Sequence, residues 1–263
     1  MKKLQFILIF VFILQANLLP GKNGDLSDDG KHFVNIGRKL FTAPARFQKS
    51  DWGKFGVISA TTGILFLIDD NVQNIALKNQ NQGNDRIFCL DRVYGNKYTL
   101  LATAGIYGIG VVLNKPVVRK MGLNATESFL YSALLSSILK MAIGRHRPYT
   151  GHGHLFFSPF QIEDTYQSLP SGHATVSMAV SAAMAKSLDN FWWKLLWYSS
   201  GGLVSASRIY HNRHWASDVF LGAAIGYFVA DFVAKFDKIS EEKSAGMIRL
   251  FHSKGRLGVA IDF

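Results

Sequence analysis

The chain has 263 residues, a size for one large domain or two small ones. Of these, 48% are apolar and only 18% charged, and the net charge of +11 favours anionic partners: nucleic acid, anionic lipid or a phosphorylated substrate. The basic residues form no dense run and match no nucleic-acid motif, so nucleic acid is not expected as a partner, and the single cysteine, Cys89, excludes an intrachain disulfide.

Residues 1–20 begin with Lys2 and Lys3, continue as an apolar run and reach the small residue Ala16. This is the layout of a secretory signal peptide; Leu18 and Leu19 prolong the apolar run, so an uncleaved N-terminal anchor is the alternative. Residues 21–54 are polar and basic and read as a loop followed by a short amphipathic helix.

Six apolar segments follow, at 55–68, 98–114, 125–143, 174–188, 191–207 and 219–236. They are too long and too irregular in alternation for strands. Small residues recur in them, among them Gly105, Gly108, Gly110, Gly222 and Gly226, and let helix backbones approach closely. The expected fold is all-α: a six-helix bundle core over 55–237, transmembrane, preceded by the signal or anchor. Several segments sit at or below the lower limit of about 17 residues for a membrane span, so buried helices of a soluble protein remain the other reading. The aromatic group Phe191, Trp192 and Trp193, with Trp197 and Tyr198 a turn later, fits a membrane interface or a packed helix face.

If the six helices alternate across a membrane, one side carries 21–54, a basic loop with Lys115, Arg119 and Lys120, and the basic tail. That side should be cytoplasmic, and the other loops should face the periplasm or exterior. A cleaved signal would leave 21–54 outside and conflicts with this topology. The conflict disappears if the first segment does not cross, or if the protein is soluble and periplasmic. The tail, 238–263, ends with Leu257, Val259, Ile261 and Phe263 at alternate positions, a weak strand signal.

Three motifs carry chemistry. The first runs from Lys140 to Arg147 and Pro148; seven residues are almost two helical turns, which would put both cations on one face of a helix that Pro148 ends. The second is Pro170-Ser171-Gly172-His173, where Ser171 reads as an N-cap, Gly172 permits close backbone approach, and the helix start offers free N–H groups to an anion. The third holds Arg208, His214 and Asp218, the last two a helical turn apart, so that the carboxylate would stand behind the imidazole. His211, with no carboxylate one turn ahead, is the lesser histidine of that loop, supporting or solvated. Each motif alone has an ordinary structural reading, as a basic helix end, a capped helix or a surface histidine.

Together, and in order, the motifs resemble the signature of the type 2 phosphatidic acid phosphatase/vanadium haloperoxidase superfamily: K-x6-R-P, P-S-G-H and S-R-x5-H-x3-D, with no position substituted. The resemblance implies that His214 is the nucleophile and forms a phosphohistidine, that Asp218 orients it, and that His173 protonates the leaving oxygen and later activates water. It implies that Lys140, Arg147, Arg208, Ser171 and the Gly172 N–H bind the phosphoryl oxygens. No metal and no cofactor is expected: no acidic cluster has metal spacing, and the Gly-His-Gly-His run at 151–154 reads as a substrate entrance or a solvated loop. The expected activity is a phosphatase acting on phosphate mono- or pyrophosphate esters, with a phosphorylated lipid at a membrane as substrate. A soluble exported acid phosphatase is the alternative, a vanadium haloperoxidase a more distant one, and a non-catalytic membrane protein the reading from a different class.

Overall fold

In a computed structural model of the protein, the backbone is described for residues 26–246, 248–253 and 256–261, and side chains up to residue 237. Helices are α1 (Leu26–Phe41), α2 (Lys49–Lys78), α3 (Gln82–Ile87), α4 (Lys97–Val112), α5 (Pro116–Ile143), α6 (Gly172–Lys186), α7 (Phe191–Tyr210) and α8 (Ala216–Gly246); strands β1 (Ile248–Ser253) and β2 (Arg256–Ile261) follow. Each of the six apolar segments lies in its own long helix, and the all-α core is as expected. The alternation at Leu257, Val259 and Ile261 falls in β2, which pairs antiparallel with β1, Leu250 opposite Val259. The expected signal or anchor at 1–20, and Phe263, lie outside the described residues.

Helices α2, α5, α7 and α8 are longer than their apolar stretches because local chemistry extends them. Pro116 at the first turn starts α5, where its missing N–H costs nothing, and so Arg119 and Lys120 are helical rather than in a loop. A reciprocal Gln48–Asp51 capping box starts α2 inside the expected lead-in. Asn96 and Asn190 accept hydrogen bonds from the first N–H groups of α4 and α7.

Helix α6 is the centre of the bundle, packed against α5, α7 and α8. Its small side chains make that possible: Ala174, Ala179 and Ala182 are wholly buried. Helix α8 comes closest. A Cβ on Gly222 would lie 2.6 Å from the Ser171 carbonyl oxygen, and one on Gly226 would lie 2.1 Å from that of Thr175. The two glycines therefore set the depth at which α8 docks, and that docking brings Asp218 up to the start of α6, where the Ser171 N–H donates to the Asp218 carbonyl at 2.9 Å.

Helix α1 is amphipathic, as expected, and seats its fully buried Ile36 against Tyr131, Val229 and Val233. Helix α2 is the reverse of a core helix. Trp52, Phe55, Val57, Ile64, Leu67 and Ile75 are all exposed along it. Helix α2 and the first part of α8 (Ala216–Asp237) are, among the described residues, long and apolar enough to cross a membrane. The aromatic group of α7 is split: Phe191 and Trp192 are exposed, whereas Trp197 and Tyr198 pack on the core.

Candidate active site

Four helix ends meet at one end of the bundle. Lys140 sits in the last turn of α5, His173 in the first turn of α6, Arg208 in the last turn of α7, and Asp218 in the first turn of α8. The charges acting on the buried His214 ring are those of Lys140, Arg147, Arg208 and His173, which gathers all three motifs around one imidazole.

Helix α5 does not run to Pro148. It stops at Ile143, because Gly144 takes a left-handed conformation (φ 64°, ψ 39°) and its N–H closes on the Lys140 carbonyl. Lys140 and Arg147 thus do not share a helix face. Arg147 is extended (φ −79°, ψ 152°), as the following proline requires, and reaches the site by turning back. Its Nη1 lies 3.5 Å from Nε2 of His214, while Nη2 is paired at 2.6 Å with the exposed carboxylate of Asp164. Lys140 donates to the Gln167 carbonyl at 2.5 Å, and its side chain passes Gly172 at a normal contact distance. The protein itself therefore gives no steric reason for a glycine at 172.

His214 is held differently from the simple expectation. Its Nδ1–H donates to the Ser168 carbonyl at 2.9 Å, and Asp218 stands farther back, with Oδ2 at 3.7 Å. The Ser168 hydroxyl bridges the two by donating to Asp218 at 2.5 Å. The carbonyl fixes the tautomer, because a carbonyl oxygen can only accept; Nε2 is left with its lone pair facing the cations. Burial first, and then Lys140, Arg147 and Arg208, hold His214 well below the usual imidazole range. Burial and the Arg208 cation likewise lower His173, to about 4.

Asp218 has two further tasks. Its Oδ2 accepts the Trp215 N–H at 2.9 Å and so caps α8. Its Oδ1 accepts from the fully buried Arg145 at 2.6 Å. Arg145 also pairs with Asp69 of α2 at 2.8 Å, and Asp69 in turn accepts from the backbone and hydroxyl of Ser217. Two buried carboxylates on one guanidinium satisfy each other and tie α2 to the start of α8.

Ser171 occupies the N-cap position of α6, but its side chain makes no cap hydrogen bond. Its Oγ is buried without a partner, and so is Nε of Arg208, whose Nη1 binds Asp91 at 2.7 Å. Orphaned buried polar atoms are costly unless a ligand, an ion or water satisfies them. Here they lie at a helix start, among cations. His211 supports this region from behind, with Nε2 3.1 Å from the Phe88 carbonyl and 3.8 Å from Asp91. His154 pairs with Asp70 at 2.7 Å, and His152 stacks on Phe156. Among the described residues no group of three or more His, Cys, Asp or Glu is arranged to hold a metal ion.

The motifs supplied the charged residues acting on the His214 ring, and the structure adds Ser168, whose carbonyl holds the ring, and the residues that hold the cations. Ser168, Asp91, Asp164, Arg145 and Asp69 carry no signal of spacing, because their partners lie far away in the chain.

The bundle and this anion-seeking pocket define a class. Residues 122–240 match the family model of the PAP2 superfamily. Relatives of the chain include the lipid A 1-phosphatase of Rhizobium johnstonii, 33% identical over 99 residues, which are 37% of this chain and 40% of that protein. The undecaprenyl-diphosphatase of Sulfolobus acidocaldarius is 26% identical over 61% of this chain and 75% of its own. The fold resembles that of the transmembrane PAP2-type phosphatidylglycerolphosphate phosphatase of Bacillus subtilis, with a TM-score of 0.52 at 22% identity over 80% of this chain and 96% of that one. The chain spans about two fifths of the length of the Rhizobium lipid A 1-phosphatases it matches.

Proposed function

We propose that the protein is a phosphatase acting on a phosphorylated lipid, and that the reaction passes through a phosphohistidine on His214. The observation that carries this reading is the environment of Nε2: its opposite nitrogen is tied to the Ser168 carbonyl, the Arg147 guanidinium lies 3.5 Å from it, and the Lys140 and Arg208 charges also act on the ring. Phosphoryl transfer needs alignment and charge stabilisation above all, and protein cations supply the charge here.

Nε2 of His214 attacks phosphorus and the bond to the leaving oxygen breaks. Lys140, Arg147 and Arg208 stabilise the equatorial oxygens, with the Ser171 hydroxyl and the Gly172 N–H. His173 gives its proton to the leaving oxygen. Burial first, and then the Arg208 cation, keep His173 deprotonated in the empty site; a bound phosphate dianion offsets the cations and favours the proton on His173, so substrate and proton arrive together. Water then attacks the phosphohistidine, His173 takes its proton, and inorganic phosphate leaves. Asp218 acts through Ser168 and through its own cap on α8.

A lipid substrate is supported by the exposed apolar face of α2, by the apolar start of α8, and by the substrates named for the relatives, a lipid A phosphate and undecaprenyl diphosphate. The site would face the periplasm or exterior, opposite the basic end that carries Arg119 and Lys120.

The test uses purified full-length protein in detergent with phosphatidic acid, phosphatidylglycerol phosphate, undecaprenyl pyrophosphate and lipid A. The parent should release phosphate from at least one, and His214→Ala, with an unchanged circular dichroism spectrum, from none. Unchanged release by that variant removes His214 as nucleophile. Full release from cell membranes by salt alone would favour a soluble exported acid phosphatase.

A further inference from the structure

The loop between Arg147 and Asp164 forms a finger at the mouth of the site. Leu155, Phe160 and Ile162 are 68%, 77% and 79% exposed, a cost in water that folding alone does not explain. The finger is firmly built. Phe157 stacks on Phe66 of α2, the Ser158 N–H donates to the Gly144 carbonyl at 2.7 Å, and the Phe160 N–H donates to the Met141 carbonyl at 2.7 Å. Phe160 is held at φ 64°, a conformation unfavourable for a bulky side chain, and its ring still points to solvent.

These anchors place the finger between two apolar belts. On one side is α2, where Leu67 and Ile68 flank the helix next to Phe66 and are exposed; on the other is the end of α5, where Ile138 and Met141 are exposed. The finger thus joins the apolar faces of both helices beside the cationic pocket. At its base, exposed Arg213 lies over the Tyr149 ring at 5.3 Å, an aromatic and a cation as found at the headgroup level of a membrane.

We infer that this finger inserts into the outer surface of the leaflet that holds the substrate, so that Leu155, Phe160 and Ile162 lie among acyl chains and Arg213 meets anionic headgroups. The inference rests on the lipid phosphatase reading above and adds how the lipid reaches the site: sideways, from the leaflet, past the finger to Arg147. A water-soluble phosphate ester needs no such contact.

The experiment compares Leu155→Ser/Phe160→Asn/Ile162→Ser with the parent in vesicles of phosphatidylglycerol and phosphatidylethanolamine. Asparagine at 160 tolerates the left-handed backbone. Two substrates are measured: vesicle-borne phosphatidic acid, and p-nitrophenyl phosphate in water. The expected result is a loss of about 10-fold or more on the lipid, with the soluble ester within about two-fold of the parent, because about three exposed apolar side chains leave the leaflet. An unchanged rate on the lipid overturns the inference. A parent inactive on both substrates instead counts against the phosphatase reading. If both activities fall together, or the parent is inactive, Ile162→Cys in a Cys89→Ser background decides. A fluorophore at 162 quenched by brominated acyl chains supports insertion, and one quenched only by aqueous iodide overturns it.

Discussion

Two histidine sites, each at least half-buried, occupy opposite ends of the bundle, and they are charged in opposite ways. At the end proposed as catalytic, burial first and then the charges of Lys140, Arg147 and Arg208 push His214 and His173 down from the usual imidazole range. At the other end, about 20 Å along α5 by helical rise, His32 of α1 is bracketed by carboxylates. Glu127 lies 3.1 Å from its Nδ1 and Asp237 lies 2.7 Å from its Nε2. Burial opposes the charge on His32, but hydrogen bonds to Asp237 and Glu127 outweigh it and raise the group to about 9. The same side chain is thus held neutral in one place and cationic in the other. At the far end each charge meets an opposite one: Asn124 and Lys120 also bind Asp237, and Arg119 and Tyr107 bind Asp29. Both ends keep buried polar atoms without a hydrogen-bond partner, Asn124 Oδ1 and Glu127 Oε2 at the far end and Ser171 Oγ and Arg208 Nε at the near end, but only the near end gathers cations around its histidines. A site whose charges are matched holds helices together, whereas one left unmatched waits for a ligand.

Variants can break this contrast from either side. The largest effect is expected at His173→Ala, which removes the proposed proton donor: turnover should fall on the order of 10^3-fold in a phosphate-release assay, with the fold intact by circular dichroism. If turnover is preserved, the donor is another group. Next comes Arg145→Met, which leaves Asp69 and Asp218 as unpaired buried charges. A loss of about 3–5 kcal/mol in denaturant unfolding is expected, with activity lost in the surviving folded fraction because α8 starts at this ion pair. A smaller loss, about 1–3 kcal/mol, is expected for Gly226→Ala, whose new methyl meets the Thr175 carbonyl, and it should appear as a lowered melting temperature.

The His32 site predicts a pH dependence. His32 is raised by folding, so its contribution is complete below about 6.5, its unfolded value, and is lost as pH rises through about 9. Protection of the α1 amides against hydrogen exchange, corrected for intrinsic rate, should decline across that window, and His32→Gln should flatten the decline. A profile unchanged by that substitution would remove this role of His32. The smallest effect belongs to Asp164, whose exposed carboxylate occupies the guanidinium of Arg147 in the empty site. Asp164→Asn should free Arg147 for anions and tighten inhibition by inorganic phosphate about two- to five-fold, in line with the modest worth of an exposed ion pair. Weaker inhibition would mean that Asp164 instead holds Arg147 in its working position.

What was legible in the sequence is what local spacing encodes. The six apolar segments announced six long helices, because a buried or lipid-facing helix needs an unbroken apolar stretch. The three motifs announced the residues around His214, because helix ends place polar side chains at fixed offsets from an apolar run. Where a helix stops was less legible: Pro148 suggested the end of α5, but Gly144, four residues earlier, could turn left-handed and did.

Only the tertiary structure decided which partner each charged group takes. Asp218 is four residues from His214, yet its strongest contact is with Arg145, 73 residues away, and the proton on His214 is placed by the Ser168 carbonyl, 46 residues away. Asp91 reaches Arg208 across 117 residues, and Asp69 reaches Ser217 across 148. Periodicity is a property of neighbouring residues and can be read along the chain. Pairing depends on which helix ends are packed together, and here that follows from the close approach of α8 to α6 at Gly222 and Gly226.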